Sequence, residues 1–488
     1  MIDKAEAGTG EVTLPEGTFT IARAGTSAYG LKISGRVHLR GAGQGKTILR
    51  QAPGTPPSVR LLQVSGDGVV IEDLTLDGNK AAQTPDAQRH GLFALETRQL
   101  VVRNVTAQNF TGDGLYLYQH ADGTLFSHVV ATHNDRNGIT LGGMLDGTQV
   151  VSSKLVANKA QQLDSEPGGT NVVSNTRVTD SDLDGAGASN DYALTCSGTG
   201  PNSMGQGWTV TGNRIHGGIF VVWAEHVVIA DNVGTNPTTK PSVSVYRSAA
   251  DVAIRGNRFK QTATGGAPTV GVLIQGTQAS GPRHVVVAGN TIEVASENSF
   301  GVRAAGAHSV EIVDNVLRGP GRRAPGFAGI QLRATNPAFD FDSALVRGNR
   351  ISNFGARGII VAGNGAAKLL SVEIRDNTFI DDSAVPSMTE AISLDDGSGA
   401  ARQIAVIGNK CVGGVKAELT NVPANVPVLV GGVRGAGATY NVAQSPEGAV
   451  AETPGATAVR HNPDGTATYY RKRSGKHSKT GWVPVAAP

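Results

Sequence analysis

The sequence predicts an all-β fold, a single-stranded right-handed parallel β-helix (a solenoid) with a small C-terminal β cap or tail. Three observations carry this. A short strand motif ending in Asn recurs along the chain, from Val101-Val102-Arg103-Asn104 to the segment ending at Asn409. Between the Asn motifs lies a second one, a small residue followed by a short apolar strand. And 65 of the 488 residues are Gly while only 17% are charged, against roughly a quarter in an ordinary soluble domain. Small side chains and punctuating glycines suit tight stacked turns. The 39% hydrophobic content excludes a disordered polyelectrolyte, and the lack of a three-residue Gly period excludes collagen.

In chain order, the opening strand Gly10–Ile21 carries Leu14-Pro15-Glu16-Gly17-Thr18-Phe19 and is followed by Val37-His38-Leu39-Arg40-Gly41-Ala42-Gly43. The Asn motif returns at Asn213, Asn232, Asn257, Asn290, Asn315, Asn349, Asn377 and Asn409, in steps of 19, 25, 33, 25, 34, 28 and 32 residues. A fixed motif on a variable step means a constant coil with loops of different length. The second motif appears as Gly91-Leu92-Phe93-Ala94, Gly114-Leu115-Tyr116-Leu117, Gly138-Ile139-Thr140-Leu141 and Gly271-Val272-Leu273-Ile274, then at Gly329, Gly358 and Ala391. Each coil thus holds at least two Val/Ile-rich strands alternating in and out. One coil cannot bury its inward residues alone, whereas stacking at about 4.8 Å buries them and closes the hydrogen-bond ladders. The recurring Asn is expected to form an internal ladder and to supply the left-handed corner. The chain divides into opening strands and cap over 1–47, the β-helix over 48–420, and a C-terminal linker with a small β or trimer-contact segment and basic tail over 421–488.

The opening strands resemble those of the pectate-lyase-like β-helix superfamily, over roughly 8–420. That superfamily includes lyases, hydrolases, epimerases and inactive binders, so the resemblance speaks to architecture more than to chemistry. The ending, Gln444-Ser445-Pro446-Glu447-Gly448 followed by Tyr469-Tyr470-Arg471-Lys472-Arg473-Ser474-Gly475 and Thr480-Gly481-Trp482, resembles a C-terminal segment of bacteriophage tailspike and tail-fibre β-helix proteins. This implies an ordered module, a homotrimer, and an extracellular or virion-associated setting.

Charge narrows the partners. Formal net charge is +3, yet 471–488 holds five bases and no acid, which leaves 38 basic against 40 acidic side chains elsewhere. The basic balance belongs to the tail, so a nucleic-acid partner is not expected. No run of about 18 apolar residues is present, so no membrane insertion is expected either. Cys196 and Cys411 show no metal or redox spacing.

Coil registration locates the candidate chemistry. Gly114, Gly138 and Gln162 are each 24 residues apart. Asp113, Asn137 and Gln161 should therefore stack in one column, Tyr116, Thr140 and Asp164 in a second, and Tyr118, Gly142 and Glu166 in a third. With Leu115, Ile139 and Leu163 inward, the second and third columns face solvent. Asp164 and Glu166 then lie two residues apart on one outer face, with Cβ atoms about 6.5–7 Å apart. Such a pair suits acid–base work at a sugar carbon, and carboxyl separations of about 6.5–9.5 Å suit inversion. Arg136 is the third candidate catalytic residue. Tyr116, Tyr118, Thr140, Trp223, Glu225 and His120 are candidate substrate contacts. No metal site is assigned and no cofactor is required, although Ca²⁺ is compatible with the acid pair and with alternating Asp180, Asp182 and Asp184. Downstream, the only comparable acids are Asp395-Asp396. Two functions follow as expectations. One is binding and cleavage of an extracellular, chiefly bacterial, polysaccharide by hydrolysis or lysis; the other is a non-catalytic glycan-binding or structural spike component.

Overall fold

The computed structural model describes residues 10–264, 268–277, 279–321, 327–335, 341–363, 369–383, 387–394, 403–415, 417–420, 428–430, 439–442, 445–447, 454, 457–461, 466–475 and 479–486. The chain forms two compact units. The first runs to Ser244 and adds Ser248–Ala253 and Asn257–Phe259; the second holds Val245–Arg247, Ile254–Gly256 and the chain from Lys260 on. Both are parallel β-solenoid, and the one described helix is the single 3₁₀ turn Lys80–Ala82. Asp395 and Asp396 lie outside the described residues.

In the first unit a coil carries up to three strands. One example is Leu115–Tyr118, Leu125–Ser127 and Val130–Thr132; the next coil repeats it as Ile139–Gly142, Gln149–Val151 and Lys154–Val156. The first strand of each coil builds a face sheet through Arg60–Val64, Leu92–Leu95, Leu115–Tyr118, Ile139–Gly142, Leu163–Glu166, Tyr192–Ser197 and Gly218–Val222, all parallel. Its inward column Leu62, Leu92, Leu115, Ile139, Leu163, Leu194 and Ile219 is fully buried. Alternation along each strand therefore sends the intervening residues outward. The second unit repeats the plan with Thr269–Gln275, Ser299–Ala305, Ala328–Arg333, Arg357–Ala362 and Glu390–Ser393.

The Asn motif resolves into two adjacent columns with different tasks. The residue before the ladder position is left-handed in coil after coil: Asp73, Asn104, His128, Ser152, Asp180, Gly212 and Asp231 in the first unit, and Gly256, Gly289, Asp314, Gly348, Asp376 and Gly408 in the second. Only Gly adopts this conformation without cost, and Asn and Asp adopt it more readily than other side chains. The following residue turns inward and forms the ladder. Asn213 Nδ2 donates to Asn232 Oδ1 at 2.9 Å and Asn232 Nδ2 to Asn257 Oδ1 at 2.9 Å. In the second unit the series is Asn290, Asn315, Asn349, Asn377 and Asn409, each amide bonded to the next at 2.9–3.0 Å. Ser153 and Ser181 fill the same column below Asn213. The corner and the ladder are thus separate jobs, contrary to the expectation that Asn does both. Asn104 is a corner: it has φ 52° and is exposed. A second ladder, absent from the motif count, joins Asn134, Asn158 and Gln162.

The C-terminal strands Thr457–His461, Ala467–Lys472 and Trp482–Val485 pair antiparallel in turn, and Thr439–Val442 joins the first of them in parallel to the long sheet. Glu447 of the Ser-Pro-Glu-Gly motif accepts from the N–H groups of Gly481 and Trp482, at 3.1 and 2.8 Å. The two ends of the motif that resembles tailspikes are therefore bound to each other. Trp482 is buried with the Lys472 ammonium 5.7 Å over its ring. Cys196, buried, and Cys411, exposed, are not joined by a disulfide.

Candidate functional site

The face sheet of the first unit sets the three columns in register. Tyr116 pairs with Thr140 and Thr140 with Asp164; Tyr118 pairs with Gly142 and Gly142 with Glu166. The columns nevertheless do not stand open to solvent. Thr140 is fully buried and Asp164 is 6% exposed. The cause is lateral cover. Tyr116 leans along the sheet over Gly142, so that a Cβ there would lie 2.6 Å from the Tyr116 ring. Arg136 reaches in from the preceding turn.

Arg136 organises the acids. Its Nη1 donates to Asp113 Oδ2 at 2.8 Å, and its Nη2 donates to Glu166 Oε1 at 2.5 Å and also contacts Oε2. Asp113 is fully buried and also accepts the Asn137 N–H at 2.8 Å. Asn137 in turn donates through Nδ2 to Thr140 Oγ1 at 3.0 Å and to Asp164 Oδ2 at 3.5 Å. Gln161 donates its N–H to Asn137 Oδ1 at 2.9 Å and its side-chain amide to Thr195. The column Asp113, Asn137, Gln161 is thus a bonded spine beneath the acid pair.

The Asp164 carboxyl lies close enough to Glu166 for that acid to raise its pKa. Cβ atoms two residues apart leave the side chains free to converge, and burial of Asp164 beside Glu166 draws them into one pair. Burial chiefly, and then the adjacent Glu166, push the Asp164 carboxyl well above the usual Asp range; Arg136 and a bond from Thr195 oppose this only in part. Asp164 is the member of the pair that holds a proton more tightly than an ordinary Asp. Glu166 is the accessible member, at 36% side-chain exposure. Tyr116 is pushed up to about 12 by burial and by the Glu166 and Asp113 charges, so its hydroxyl stays neutral. Against burial, which lowers it, the Asp113 charge and the doubly contacted Glu166 charge hold the Arg136 guanidinium even more firmly charged.

Beside the acids stands an aromatic shelf. Phe93 pairs with Tyr116 one coil away, and the rings of Phe93, Tyr116 and Tyr118 lie 5.5–6.0 Å apart. The Arg60 guanidinium sits 4.5 Å over Phe93. His90 is fully buried, edge-on to Tyr116 at 4.8 Å, with Nδ1 at 3.2 Å from both the N–H nitrogen and Oδ2 of Asp113.

Of the expected site residues, the structure brings Asp164, Glu166, Arg136, Tyr116, Tyr118 and Thr140 together. The other three lie elsewhere. Trp223 is a half-buried left-handed corner after Gly218–Val222. Past that corner, Glu225 belongs to Ala224–Ala230, on a different sheet, and accepts from Gln206 at 2.9 Å. His120 follows Tyr118 into a left-handed turn, exposed, with Asp122 at 4.0 Å. Asp182 and Asp184 point out of their own strand, where Asp184 meets His216 at 2.8 Å; Asp180 is the corner before it. Among the described residues no three His, Cys, Asp or Glu side chains stand close enough to hold a metal ion. Asp113, His90, Phe93, Asn137 and Thr195 enter the site without having been assigned a role from sequence. The 24-residue column arithmetic reaches Asp113 and Asn137; Phe93, 23 residues before Tyr116, and Thr195, 31 after Asp164, fall off that spacing, and His90 precedes its strand.

No protein-family model matches the chain, and no curated protein does. Among solved structures, the chain is similar to the Pseudomonas phage phi297 tailspike gp61 at 10% identity, over 88% of this chain and 76% of that one, with a TM-score of 0.47. It is similar to the A-module of Azotobacter vinelandii mannuronan C-5 epimerase AlgE6 at 16% identity, over 86% and 94%, with a TM-score of 0.45. Tailspike protein 3 of bacteriophage CBA120 matches at 13% identity over the whole of this chain and 66% of that one, with a TM-score of 0.42.

Proposed function

We propose that this is a carbohydrate-active β-solenoid that binds a polysaccharide on the face sheet of its first unit and hydrolyses it with the Asp164–Glu166 pair. The observation that carries the reading is a buried Asp164 carboxyl, its pKa raised by burial and by Glu166, beside a partly exposed Glu166 that Arg136 holds in place. A carboxyl whose pKa is raised by burial and a neighbouring acid suits the role of general acid. The pair gives its proton to the glycosidic oxygen as the bond to the sugar carbon breaks. Once ionised, it takes a proton back from the water that adds to that carbon. The neutral faces of Tyr116 and Tyr118, backed by the buried Phe93, offer a surface for a sugar ring. A lyase needs a cation for the uronate carboxylate, and Arg136 is already engaged by Asp113 and Glu166. Calcium has no part in this chemistry, so a chelator should leave cleavage unchanged. The extracellular or virion-associated setting and a homotrimer belong to the same reading, supported by the Glu447 clamp on the C-terminal motif.

A second reading, a non-catalytic glycan-binding spike component, is favoured by the low exposure of Asp164 and by the closed Arg136 bridge. The test is a panel of bacterial capsule and O-antigen polysaccharides incubated with the protein. New reducing ends that vanish in Asp164→Asn and Glu166→Gln support hydrolysis. Ultraviolet absorbance of an unsaturated uronate would mark a lyase instead. Binding without products would establish the second reading.

A further inference from the structure

The outer face continues past the acid pair. Leu163 pairs with Leu194, which carries the Asp164 column to Thr195, and Thr195 pairs with Phe220. Phe220 therefore lies two coils beyond Asp164, as Tyr116 lies two coils before it. At about 4.8 Å per coil, each stands about 10 Å from the pair.

Tyr192 joins Phe220 by a local irregularity. It is three residues before the outward Thr195, and strict alternation would turn it inward. A bulge intervenes: Tyr192 pairs with Gly218 while Leu194 pairs with Ile219, which leaves Ala193 extra. The extra residue reverses the parity and sends Tyr192 to the same side as Phe220. Ala193 and Leu194 are both fully buried, whereas Tyr192 and Phe220 are half-buried. The two rings stack at 5.0 Å and 21°. Gly218 leaves room for this, since a Cβ there would lie 2.9 Å from Tyr192 Cδ1. Bulges next to active sites commonly re-aim a side chain in this way. In a chain with only 5% aromatics, five of them on this one face form two groups with the acids between.

We infer that Tyr192 and Phe220 form a second sugar-binding platform, so that a polysaccharide lies along the stacking direction, held on both sides of the acid pair and cut internally. The inference rests on the carbohydrate reading of the same face. A pyranose presents an apolar C–H face to an aromatic ring, and two platforms about 20 Å apart require a chain of several sugars. A monosaccharide or chain end would engage only one.

The probes are oligosaccharides of two, four, six and eight sugars, released by mild acid from the panel polysaccharide that the wild type retards most in an affinity gel. Affinity is measured by titration calorimetry on the Glu166→Gln background, so that no probe is consumed. Affinity should rise steeply from two to six sugars. Phe220→Ala and Tyr192→Ala should each lower hexasaccharide affinity about tenfold, as Tyr118→Ala does, given the usual worth of an aromatic platform. Phe220→Tyr should restore it, which separates a lost platform from a misfolded coil. Equal affinity of Phe220→Ala, Tyr192→Ala and the parent for the hexasaccharide, with loss in Tyr118→Ala, would overturn the inference, as would failure of every panel glycan to bind. Length-dependent binding with no cleavage by wild type would refute the catalytic reading and leave both platforms standing. Cleavage lost in Glu166→Gln, with Phe220→Ala binding undiminished, would do the reverse.

Discussion

Replacing Asp164 by Asn should stabilise the protein while abolishing cleavage, and the stability gain should grow with pH. Asn keeps the shape and the hydrogen bonds: its amide faces Glu166 where the carboxyl did, and its carbonyl accepts from Asn137 and Thr195. What it removes is titration. The folded protein holds the Asp164 proton to a pH well above the ordinary Asp value, whereas the unfolded chain releases it near 3.9. Between those two points the folded state binds one proton more, so wild-type stability falls as pH rises, by about 1.4 kcal/mol per unit. Below the unfolded value the two proteins should be alike, and above the raised value the difference should level off. The assay is urea unfolding of both proteins at half-unit steps from pH 3.5 to 8, followed by fluorescence of Trp208 and Trp223, which lie in the same unit as the acids. A flat difference curve, or a wild type that gains on the variant with rising pH, would refute the claim that the fold stores a proton on Asp164.

Arg136→Met should cost about 3–5 kcal/mol, because it leaves the fully buried Asp113 carboxylate without its ionic partner; thermal denaturation of the variant checks this. Gly142→Ala should displace the Tyr116 ring by crowding it at 2.6 Å, for about 1 kcal/mol or a little more in stability and a clear loss of oligosaccharide affinity by calorimetry. Asn232→Leu should cost about 2–4 kcal/mol by orphaning the Asn213 N–H and the Val210 carbonyl, whereas Asn104→Gly at the exposed corner should be nearly neutral or slightly stabilising. Alkaline titration followed at 295 nm should show a tyrosine ionising near 12 that is missing in Tyr116→Phe.

The fold was legible because its logic is local and repeated. Inward Leu, Ile and Val at every second position, and a fixed Gly/Asp-Asn corner, recur whatever the loop length. Assigning the corner to Asn rather than to the residue before it was an error of one position, yet the sequence held the answer: Gly212, Asp231, Gly256, Asp314 and Gly348 precede ladder Asn residues. The acid columns were legible for a narrower reason. Coils from Gly114 to Gln162 repeat at 24 residues with no insertion, so equal spacing is equal register. Past Glu166 a longer loop and the bulge at Ala193 break that rule, and with it the reach to Phe220. The corner at Trp223 likewise sends Glu225 to another sheet, which alternation along one strand does not foretell. Periodicity fixes where a Cβ points but not where a long side chain ends. The Arg136 bridge and the closeness of Glu166 to the Asp164 carboxyl therefore needed the structure.

The strongest argument that this face has a function is how little the solenoid needs it. The outer face of a parallel sheet is a place for solvated polar residues, and carboxylates are seldom buried unless paired. Yet Asp113 and Asp164 are both buried at it, one paired with Arg136 and the other with its pKa raised by burial and by Glu166. Thr140 and Thr195 occupy the same column as Asp164 in the adjoining coils, so a hydroxyl side chain satisfies the scaffold at that place. Substituting Thr for Asp164 would forgo no core packing and would relieve the cost of a buried acid. A carboxyl at that place, beside Glu166 and between two aromatic groups, fits the proposed role of giving a proton and taking it back.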